Sequence, residues 1–569
     1  MSLELPSASS LSIARSLRKG PKRPGPTVLA IISVLAALSL AAYFALSRHE
    51  RPRLDLLEPG IAEPGVAVTL QGRNFGPSRG DSWIDVDGMV PTSASYLSWS
   101  DTRISLRLPA SFDSGLLHVV TRQGRSNPKL FMNRARLPVL ASGERPGGSP
   151  YIASISPEEG PIGSLVVLAG LGFGSSQAAS EIHFAWASDN EGGKPPGDLS
   201  FPTAVSPNAS DLGYEYWSDK ELRFRVPDGA ISGSVYITSE KGRSNAVFFH
   251  VSDPAGSKRY FAKTSYSISQ TVSISKIKVS GPSELYLLTP LPARSASQRL
   301  VKVLGQEPEP MVGDYRGTAL FRLADLATGR DRTIKQSFLV QDFAVEASID
   351  PDREVARPPN PPALMAAYTA PDEIVPAAAP AIQELAKKIL HGEKGSWRAA
   401  RLVWDWLRQS LRWTDRRESA RVLDVLVDKS ADSYSYAIIA CALLRSAGLP
   451  SRPIAGYLVG PNRKAVRHYW VEVYLYGLGW VPLDPVLGSG ASPGGLSAPW
   501  EDRSRYFGGI DARHIAFSRG FSALVPMSPE GRRVSKDRRW SFQSFYEEAS
   551  GALDAYSSYW GDMEITGIY

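Results

Sequence analysis

The stretch that decides the fold is KSADSYSYAIIACALLRSAGLPSRPIAGYLV at 429–459, followed by RHYWVEVYLYGLGWVPLDP at 467–485. From Tyr434 to Leu444 nearly every residue is apolar, which predicts a helix that is buried on all sides. The helix should end at Gly448 and Pro450, because glycine favours the position after a helix and proline cannot continue one. In the later segment, apolar and polar residues alternate in two runs joined by Gly-Leu-Gly. This pattern predicts a β-hairpin that follows the buried helix in the chain.

Candidate catalytic residues lie on these elements. Ser433 falls in the first turn of the helix, where backbone N–H groups lack helical partners and the dipole favours an anion. An enzyme would place there a nucleophile that becomes negatively charged. In the hairpin, His468 and Asp484 can lie opposite each other, so that the carboxylate orients the imidazole and leaves one ring nitrogen as a base. The pattern predicts a triad of Ser433, His468 and Asp484.

The same segment resembles the transglutaminase-like superfamily. The matching residues are Trp406 and Trp413, Tyr436-Ala437, Leu443-Leu444-Arg445, Gly448-Leu449-Pro450, Arg452, Gly456-Tyr457, His468, Trp470 to Val473 and Gly479 to Pro485. YFGGIDARHIAFSRG at 506–520 also resembles sequence that accompanies bacterial members. The resemblance implies a papain-like α+β core with a Cys-His-Asp triad. It also places Ser433 at the thiol position, since the family's Gly-x-Cys reads Ala431-Asp432-Ser433 here.

The exchange of cysteine for serine leaves two interpretations. A thiol ionises readily beside a helix N-terminus and a histidine, whereas a serine must pass its proton to the base as it attacks. The first interpretation is a non-catalytic or weakly active domain that binds a peptide, a partner protein or cell-envelope material. The alternative is a Ser-His-Asp amidase, protease or acyltransferase that uses Ser433 on peptide amides. Because both Ser433 and Ala431 depart from the family, we expect the first. His468 and Asp484 would then be a hydrogen-bonded structural pair.

Two upstream segments repeat one another. LEPGIAEPGVAVTLQGRNFG at 57–76 matches SPEEGPIGSLVVLAGLGFG at 156–174, and both copies continue through Trp-Ser-Asp to Gly-Arg-Ser-Asn. Short alternating strands between turn residues predict β-sandwiches. The order of motifs resembles the immunoglobulin-like IPT/TIG fold, which implies spacer or protein-binding modules over 53–131 and 150–251. A third reading therefore makes the whole ectodomain a surface-interaction or envelope-scaffold protein.

The rest of the chain completes the predicted architecture. Residues 256–350 alternate and are rich in β-branched side chains, which predicts a further β-sandwich. RPPNPP at 357–362 predicts a stiff connector. Helical spacing follows, and we expect the transglutaminase-like domain over 370–569 with its core at 395–488. The expected fold class is a multidomain chain with an N-terminal transmembrane helix, tandem immunoglobulin-like β-sandwiches, a further β-sandwich and an α+β papain-like core.

The N-terminus predicts a membrane anchor. Residues 27–46, TVLAIISVLAALSLAAYFAL, carry no charge and have the length of about 20 residues that a spanning helix needs. A basic tail over 1–26 precedes them, and the bias of Lys and Arg places the N-terminus in the cytoplasm. A cleaved signal peptide is the alternative, but the apolar run is too long and no small-x-small site follows it. We expect a single-pass membrane protein with most of its chain extracytoplasmic, in the periplasm or at the cell surface.

Composition narrows the remaining function classes. The net charge of +7 is spread without a basic stripe, so nucleic acid is not an expected partner. The single cysteine, Cys441, excludes an internal disulfide and a cysteine-based zinc site, and it should pack as an apolar residue within the helix. We expect no metal or organic cofactor, and a membrane plus a peptide or protein as partners. His118, His183 and His250 should be structural, and at least two of Trp404, Trp406 and Trp413 should pack in a core.

Overall fold

The computed structural model describes residues 51–62, 65–86, 89–108, 112, 115–133, 148–177, 179–186, 204–208, 211–252, 256–354, 362–415, 422–536 and 539–569. The predicted basic tail and transmembrane segment lie outside these residues, as does most of the predicted connector. Within the described ranges, no helix combines the length and the apolar character needed to cross a membrane. The chain divides into two compact units, Met1–Glu144 and Arg145–Tyr569.

The first unit contains a β-sandwich. Its strands are β1 (Arg53–Glu58), β2 (Ile61–Ala62), β3 (Ala67–Arg73), β4 (Trp83–Val86), β5 (Tyr96–Trp99), β6 (Arg103–Arg107), β7 (Gly115–Thr121), β8 (Gly124–Arg125) and β9 (Lys129–Asn133). One sheet has the order β1-β3-β6-β5 and the other β2-β9-β7-β4, with β8 on β7. Inward-facing residues such as Leu70, Ile84 and Leu106 fill the core between the sheets.

The second unit opens with a sandwich of the same design. Its strands are β10 (Tyr151–Ser156), β11 (Glu159–Gly160), β12 (Leu165–Leu171), β13 (Glu181–Ala185), β14 (Ala204–Val205), β15 (Tyr214–Trp217), β16 (Glu221–Arg225), β17 (Gly233–Ser239), β18 (Gly242–Arg243) and β19 (Val247–Val251). Their orders are β10-β12-β16-β15 and β11-β19-β17-β13-β14, with β18 on β17.

The repeated motifs make equivalent hydrogen bonds in the two sandwiches. The Nδ2 of Asn127 donates to the backbone oxygen of Leu54, and its Oδ1 accepts from the Leu54 N–H. Asn245 makes the same pair of bonds to Ile152. A side chain that satisfies a backbone donor and acceptor together ties the last turn of each sandwich to its first strand. This accounts for the closing Gly-Arg-Ser-Asn in both copies.

A large sheet follows the second sandwich. It contains β20 (Gly256–Pro290), β21 (Leu300–Glu307), β22 (Val312–Tyr315), β23 (Thr318–Leu323) and β24 (Arg332–Ile349) in the order β21-β24-β20-β23-β22. The same sheet takes up β30 (Gly509–Ile510), β32 (Arg532–Val534), β33 (Glu547–Trp560) and β34 (Glu564–Ile568). The sequence predicts one transglutaminase-like domain over 370–569, whereas β33 and β34 near the C-terminus pair with β20 of the large sheet.

An α+β core lies between these strands in the chain. Its helices are α1 (Ala363–Ala367), α2 (Pro380–Leu390), α3 (Ser396–Ser410), α4 (Val422–Asp428), α5 (Ser433–Ser446) and α6 (Pro485–Gly488). Its strands are β25 (Arg412–Trp413), β26 (Ser430–Ala431), β27 (Ser451–Val459), β28 (Ala465–Leu475), β29 (Gly479–Leu483) and β31 (His514–Arg519). Short 3₁₀ turns cover Ser93–Ser95, Pro493–Gly495 and Arg503–Tyr506.

The predicted helix and hairpin are both present in this core. Every residue of α5 from Ser435 to Arg445 is buried, as the run of apolar residues predicts. β28 pairs antiparallel with β29, and the four-stranded sheet has the order β29-β28-β27-β31. The described chain is therefore multidomain and mostly β-structure, with a few helices grouped in the α+β core.

Candidate active site

Ser433 is the first residue of α5. The chain before it is held by the parallel pair β25 and β26, where the Thr414 N–H donates to the Ala431 oxygen at 3.0 Å. Asp432 caps the helix, because its Oδ1 accepts from the Ser435 N–H at 2.9 Å. The structure thus places Ser433 at the start of the helix, as predicted. Ser433 directly follows Asp432, whose carboxylate already accepts a hydrogen bond from the N-terminus of this helix.

A cleft lies in front of Ser433. It encloses about 700 Å³ of space, part of it open to solvent. The residues that line it are Trp413, Asp415, Asp432, Ser433, Tyr434, Val466, Arg467, Tyr469, Pro493 and Gly494. The guanidinium of Arg467 pairs with Asp562, so its charge is already partnered. Of the three tryptophans noted in the sequence, Trp404 is buried in the core and Trp413 reaches this cleft.

His468 and Asp484 form a hydrogen bond, although the register does not place them opposite each other, since Val471 pairs with Leu483 and Asp484 follows the end of β29. The Nε2–H of His468 donates to Asp484 Oδ2 at 2.8 Å, and both side chains are wholly buried. This hydrogen bond places a proton on Nε2 of His468. No described residue forms a hydrogen bond with the Nδ1 atom of His468, Ser433 included. The structure thus brings His468 and Asp484 together but leaves Ser433 without a hydrogen bond to the base.

Both carboxylate oxygens of Asp484 accept hydrogen bonds from more than one donor. Its Oδ1 accepts from the backbone N–H groups of Val486 and Leu487, each at 3.0 Å, at the start of α6. Its Oδ2 accepts a second imidazole, the Nε2–H of His514, at 3.1 Å. Although burial raises the pKa of a carboxyl, the two histidines hold the pKa of Asp484 well below its usual range. Asp484 is therefore an anion that both imidazoles share.

His514 was not singled out in the sequence. It begins β31, and its Nδ1 lies 3.1 Å from the backbone oxygen of Asp511 and 3.3 Å from Asp511 Oδ1. Burial lowers the pKa of His514, but Asp511 and Asp484 outweigh it and raise this pKa to about 9. The stretch at 506–520, which includes His514, resembles the family, but its sequence pattern does not single out His514. The position of His514 depends on the pairing of β31 with β27, a contact that local periodicity does not reveal.

Three ligand-type atoms come together here. Ligand atoms of His468, Asp484 and His514 all lie within 4.8 Å of one another. The two nitrogen–oxygen separations of 2.8 Å and 3.1 Å are those of hydrogen bonds, and each nitrogen concerned acts as a donor. Hydrogen bonding accounts for this arrangement, and we describe it as a hydrogen-bonded cluster.

Cys441 does not replace the missing thiol. It is wholly buried in α5, and burial raises the pKa of its thiol to about 12. A nucleophilic cysteine needs the opposite environment, one that is partly exposed and electropositive. Cys441 therefore packs as an apolar residue.

Comparison with known proteins identifies part of the α+β core. Residues 383–485 match the model of the transglutaminase-like superfamily. This stretch is a transglutaminase-like domain. It contains Ser433, His468 and Asp484, whereas His514 lies beyond the matched residues of the transglutaminase-like domain.

Curated relatives cover only short parts of the chain. A cyclomaltodextrin glucanotransferase of Bacillus sp. (strain 17-1) is 33% identical over 81 residues, which is 14% of this chain and 11% of the relative. The Niallia circulans enzyme of the same description is 33% identical over 76 residues, or 13% of this chain and 10% of the relative. The match thus spans about a tenth of these relatives' length.

Solved structures give distant similarities. One is described as "a Putative Cysteine Protease from Cytophaga hutchinsonii", at 14% identity over 55% of this chain and 92% of that chain, with a TM-score of 0.36. Another is SGBP-B from a xyloglucan utilization locus in Bacteroides uniformis, at 13% identity over 52% and 99% of the two chains, with a TM-score of 0.13.

Proposed function

We propose that the transglutaminase-like domain binds a peptide, a partner protein or cell-envelope material in the cleft before Ser433, with at most weak acyl-transfer activity. The proposal rests on the surroundings of His468, the candidate base. Its Nδ1 atom is buried, and Ser433 makes no hydrogen bond to that atom. A serine nucleophile depends on that bond, because it loses its proton only as it attacks.

The helix start also favours binding over catalysis. In a working acyl-transfer site, free backbone N–H groups stabilise the oxyanion of the tetrahedral intermediate. Here the carboxylate of Asp432 accepts one of these groups, the Ser435 N–H, and adds a negative charge beside Ser433. The cleft meanwhile retains Trp413, Tyr434 and Tyr469, whose rings can contact an extended ligand.

Labelling with a fluorophosphonate probe tests the state of Ser433. We expect the wild-type protein and Ser433→Ala to take up the same small amount of probe, because Ser433 is not activated. Intact-mass spectrometry after a fixed time measures the uptake. Stoichiometric labelling of wild type that Ser433→Ala abolishes would contradict this proposal.

Binding is tested with fluorescein-labelled peptides from a casein digest, followed by fluorescence polarisation. Trp413→Ala should weaken binding about tenfold or more, since tryptophan is enriched among the few contact residues whose truncation costs about 2 kcal/mol or more. The matched control is Trp500→Ala, because Trp500 stacks on Phe261 and does not line the cleft. Equal loss in both variants would count against the cleft as the binding site.

The second candidate is a Ser-His-Asp amidase or acyltransferase. The intact pair of His468 and Asp484, 2.8 Å apart, favours it, as does the place of Ser433 at a helix N-terminus. In that case His468 would take the Ser433 proton and later protonate the leaving amine. Fluorophosphonate labelling that both Ser433→Ala and His468→Gln abolish would support this candidate over the binding function.

We also propose that residues 27–46 anchor the protein in a membrane, with the rest of the chain outside the cytoplasm. The support is the charge-free run itself and the basic tail before it. We expect the protein to stay in the membrane pellet after carbonate extraction. Leu35→Arg with Leu38→Arg should release it, because each arginine near the helix centre costs about 2.5–3.5 kcal/mol on insertion scales. Alanine at the same two positions is the control, and release of both forms would refute the anchor.

A further inference from the structure

A lysine and an aspartate are in contact where the second sandwich meets the large sheet. Nζ of Lys258, near the start of β20, contacts Oδ1 of Asp228, which follows β16. The same Nζ atom donates to the backbone oxygen of Trp480 at 3.0 Å. The two side chains are only 5% and 13% exposed. The lysine nitrogen therefore lies beside the carboxyl carbon to which an amide bond would join it.

Buried aromatic residues surround this pair. Asp228 lines a cavity together with Tyr260 of β20, Trp470 of β28 and Trp480 of β29, and all three aromatic residues are buried. The cavity encloses about 440 Å³, part of it open to solvent, so a released water molecule has room to leave. The second sandwich, the large sheet and the α+β core thus all contribute to the surroundings of one lysine and one carboxyl group.

The charged groups next to Asp228 are paired among themselves. Asp211 accepts from Arg452 at 2.6 Å, and Glu472 pairs with both Arg452 and Arg519. These two carboxylates and two guanidinium groups balance one another, and Asp228 pairs with the lysine. Burial raises the pKa of Asp228, and the charges of Asp211 and Glu472 add to this effect, which outweighs the lysine. The surroundings therefore favour the acid form of this carboxyl group.

The other titratable groups of the cavity do not compete for the pair. Burial raises the pKa values of Asp342 and Tyr260 well above their ordinary values, so both side chains stay protonated and uncharged. His514 also lines the cavity, and it pairs with Asp484 and Asp511 on its other sides.

We propose that Lys258 and Asp228 form an intramolecular amide bond, an isopeptide bond, in the folded protein. The ammonium first passes one proton to the carboxylate, which gives an amine beside a carboxylic acid. The lone pair of Nζ then attacks the carboxyl carbon and the C–OH bond breaks. A second proton from Nζ leaves with the hydroxyl group as water. One ammonium and one carboxylate thus become one amide and one water, and no further reactant is needed.

Proximity and burial both favour this condensation. Groups that are held in a reactive geometry behave as if their effective concentration were about 10⁵–10⁸ M. A buried ion pair carries a large desolvation cost, whereas an amide is uncharged. The one N–H that remains on Nζ keeps its acceptor, because the backbone oxygen of Trp480 already lies 3.0 Å away.

The bond ties the second sandwich to the rest of the second unit. Asp228 and Lys258 are 30 residues apart in the chain, and they belong to the sandwich and to the large sheet respectively. A covalent link persists when the hydrogen bonds and packing between these two parts open. The inference does not involve Ser433 or the cleft, so it stands apart from the proposed function.

Mass spectrometry of the full-length protein in detergent tests the bond. The wild-type protein should be about 18 Da lighter than its sequence requires, because one water is lost. Lys258→Arg and Asp228→Ala should each have the full mass expected from their sequences. Because wild type and variants are compared with one another, any processing at the N-terminus cancels.

Digestion with trypsin locates the bond. Trypsin does not cleave after an acylated lysine, so peptides 226–241 and 244–259 should appear joined as one branched product in the wild-type digest. The linear peptide 226–241 should be depleted in wild type and abundant in Lys258→Arg. The branched product is sought in the wild-type protein itself, so this result does not depend on how the variants fold.

A cyclic imide at Asp228-Gly229 would also lose one water, and Lys258→Arg distinguishes the two reactions. The imide does not involve the lysine and would persist in this variant. A wild-type protein of full mass, or a loss of water that Lys258→Arg retains, would overturn the proposal. Neither measurement needs a bound peptide or turnover, so failure here is distinct from failure of the proposed function.

Discussion

Replacing Arg452 by alanine is expected to lower the opening free energy of the four-stranded sheet by about 3–5 kcal/mol, the usual cost of breaking a buried ion pair. Arg452 is wholly buried, with its Nε 2.9 Å from Glu472 and its Nη1 2.6 Å from Asp211. Its guanidinium also lies 3.7 Å from the ring of Trp480. The substitution leaves the carboxylate of Asp211 beside this ring without its cation.

This prediction concerns how the second sandwich and the α+β core depend on each other. Asp211 belongs to the sandwich segment, and it also accepts from the indole N–H of Trp480 at 2.9 Å. Hydrogen exchange followed by mass spectrometry, on peptides from β27, β28 and the sandwich, measures the effect. We expect exchange to increase in all three, because the lost contact holds these elements together.

Two variants calibrate the result. Arg401→Ala removes a surface pair with Asp405, in which both side chains are substantially exposed, and should cost only about 0.3–0.5 kcal/mol. Arg452→Lys keeps the charge but loses the two-pronged geometry and the ring contact, so it should fall in between. A loss in Arg452→Ala no larger than in Arg401→Ala would show that this network contributes little.

The second large expected effect is a loss of stability at alkaline pH. The pKa of His514 is about 9 in the folded protein, against about 6.5 for an unperturbed histidine. A raised folded-state pKa stabilises the fold fully below about pH 6.5, and this stabilisation disappears as the pH rises through about 9. The shift corresponds to at most about 3 kcal/mol. The thermal midpoint of the transition that includes the α+β core should therefore fall between pH 6.5 and pH 9.5.

His514→Gln isolates the contribution of this histidine. The variant should be less stable than wild type at pH 6.5, and the two should converge towards pH 9.5. Parallel curves of stability against pH for the two proteins would mean that other groups cause the alkaline loss.

Asp484 and Asp511 affect stability at acid pH. Their lowered pKa values stabilise the fold above about pH 4, and this stabilisation is lost as the pH falls.

Local sequence patterns predicted the elements that carry the site. The apolar run after Ser433 marked a helix buried on all sides, and the alternating strands around Gly-Leu-Gly marked the hairpin that joins His468 to Asp484. Both rest on periodicity within about 20 residues, where side-chain direction follows directly from helix and strand geometry. The sandwich repeats were visible for the same reason.

Local sequence periodicity did not reveal the strand pairings between distant segments. The C-terminal strands β33 and β34 complete the sheet of β20, and β31 pairs with β27 although a hairpin and several loops separate them in the chain. Neighbouring strands in a sheet need not be neighbours in sequence, and a short alternating segment fits many edges equally well. His514 was missed because its position depends on such a pairing.

The amino-acid sequence by itself determined that a serine stands at the start of a buried helix and that a histidine and an aspartate lie close together in the hairpin that follows. Only the tertiary structure decided the surroundings of these groups, because it brought His514 to the same oxygen of Asp484 and placed no described residue within hydrogen-bond distance of Nδ1 of His468. The physical reason is that hydrogen bonding and burial depend on distances through space, which sequence spacing does not specify.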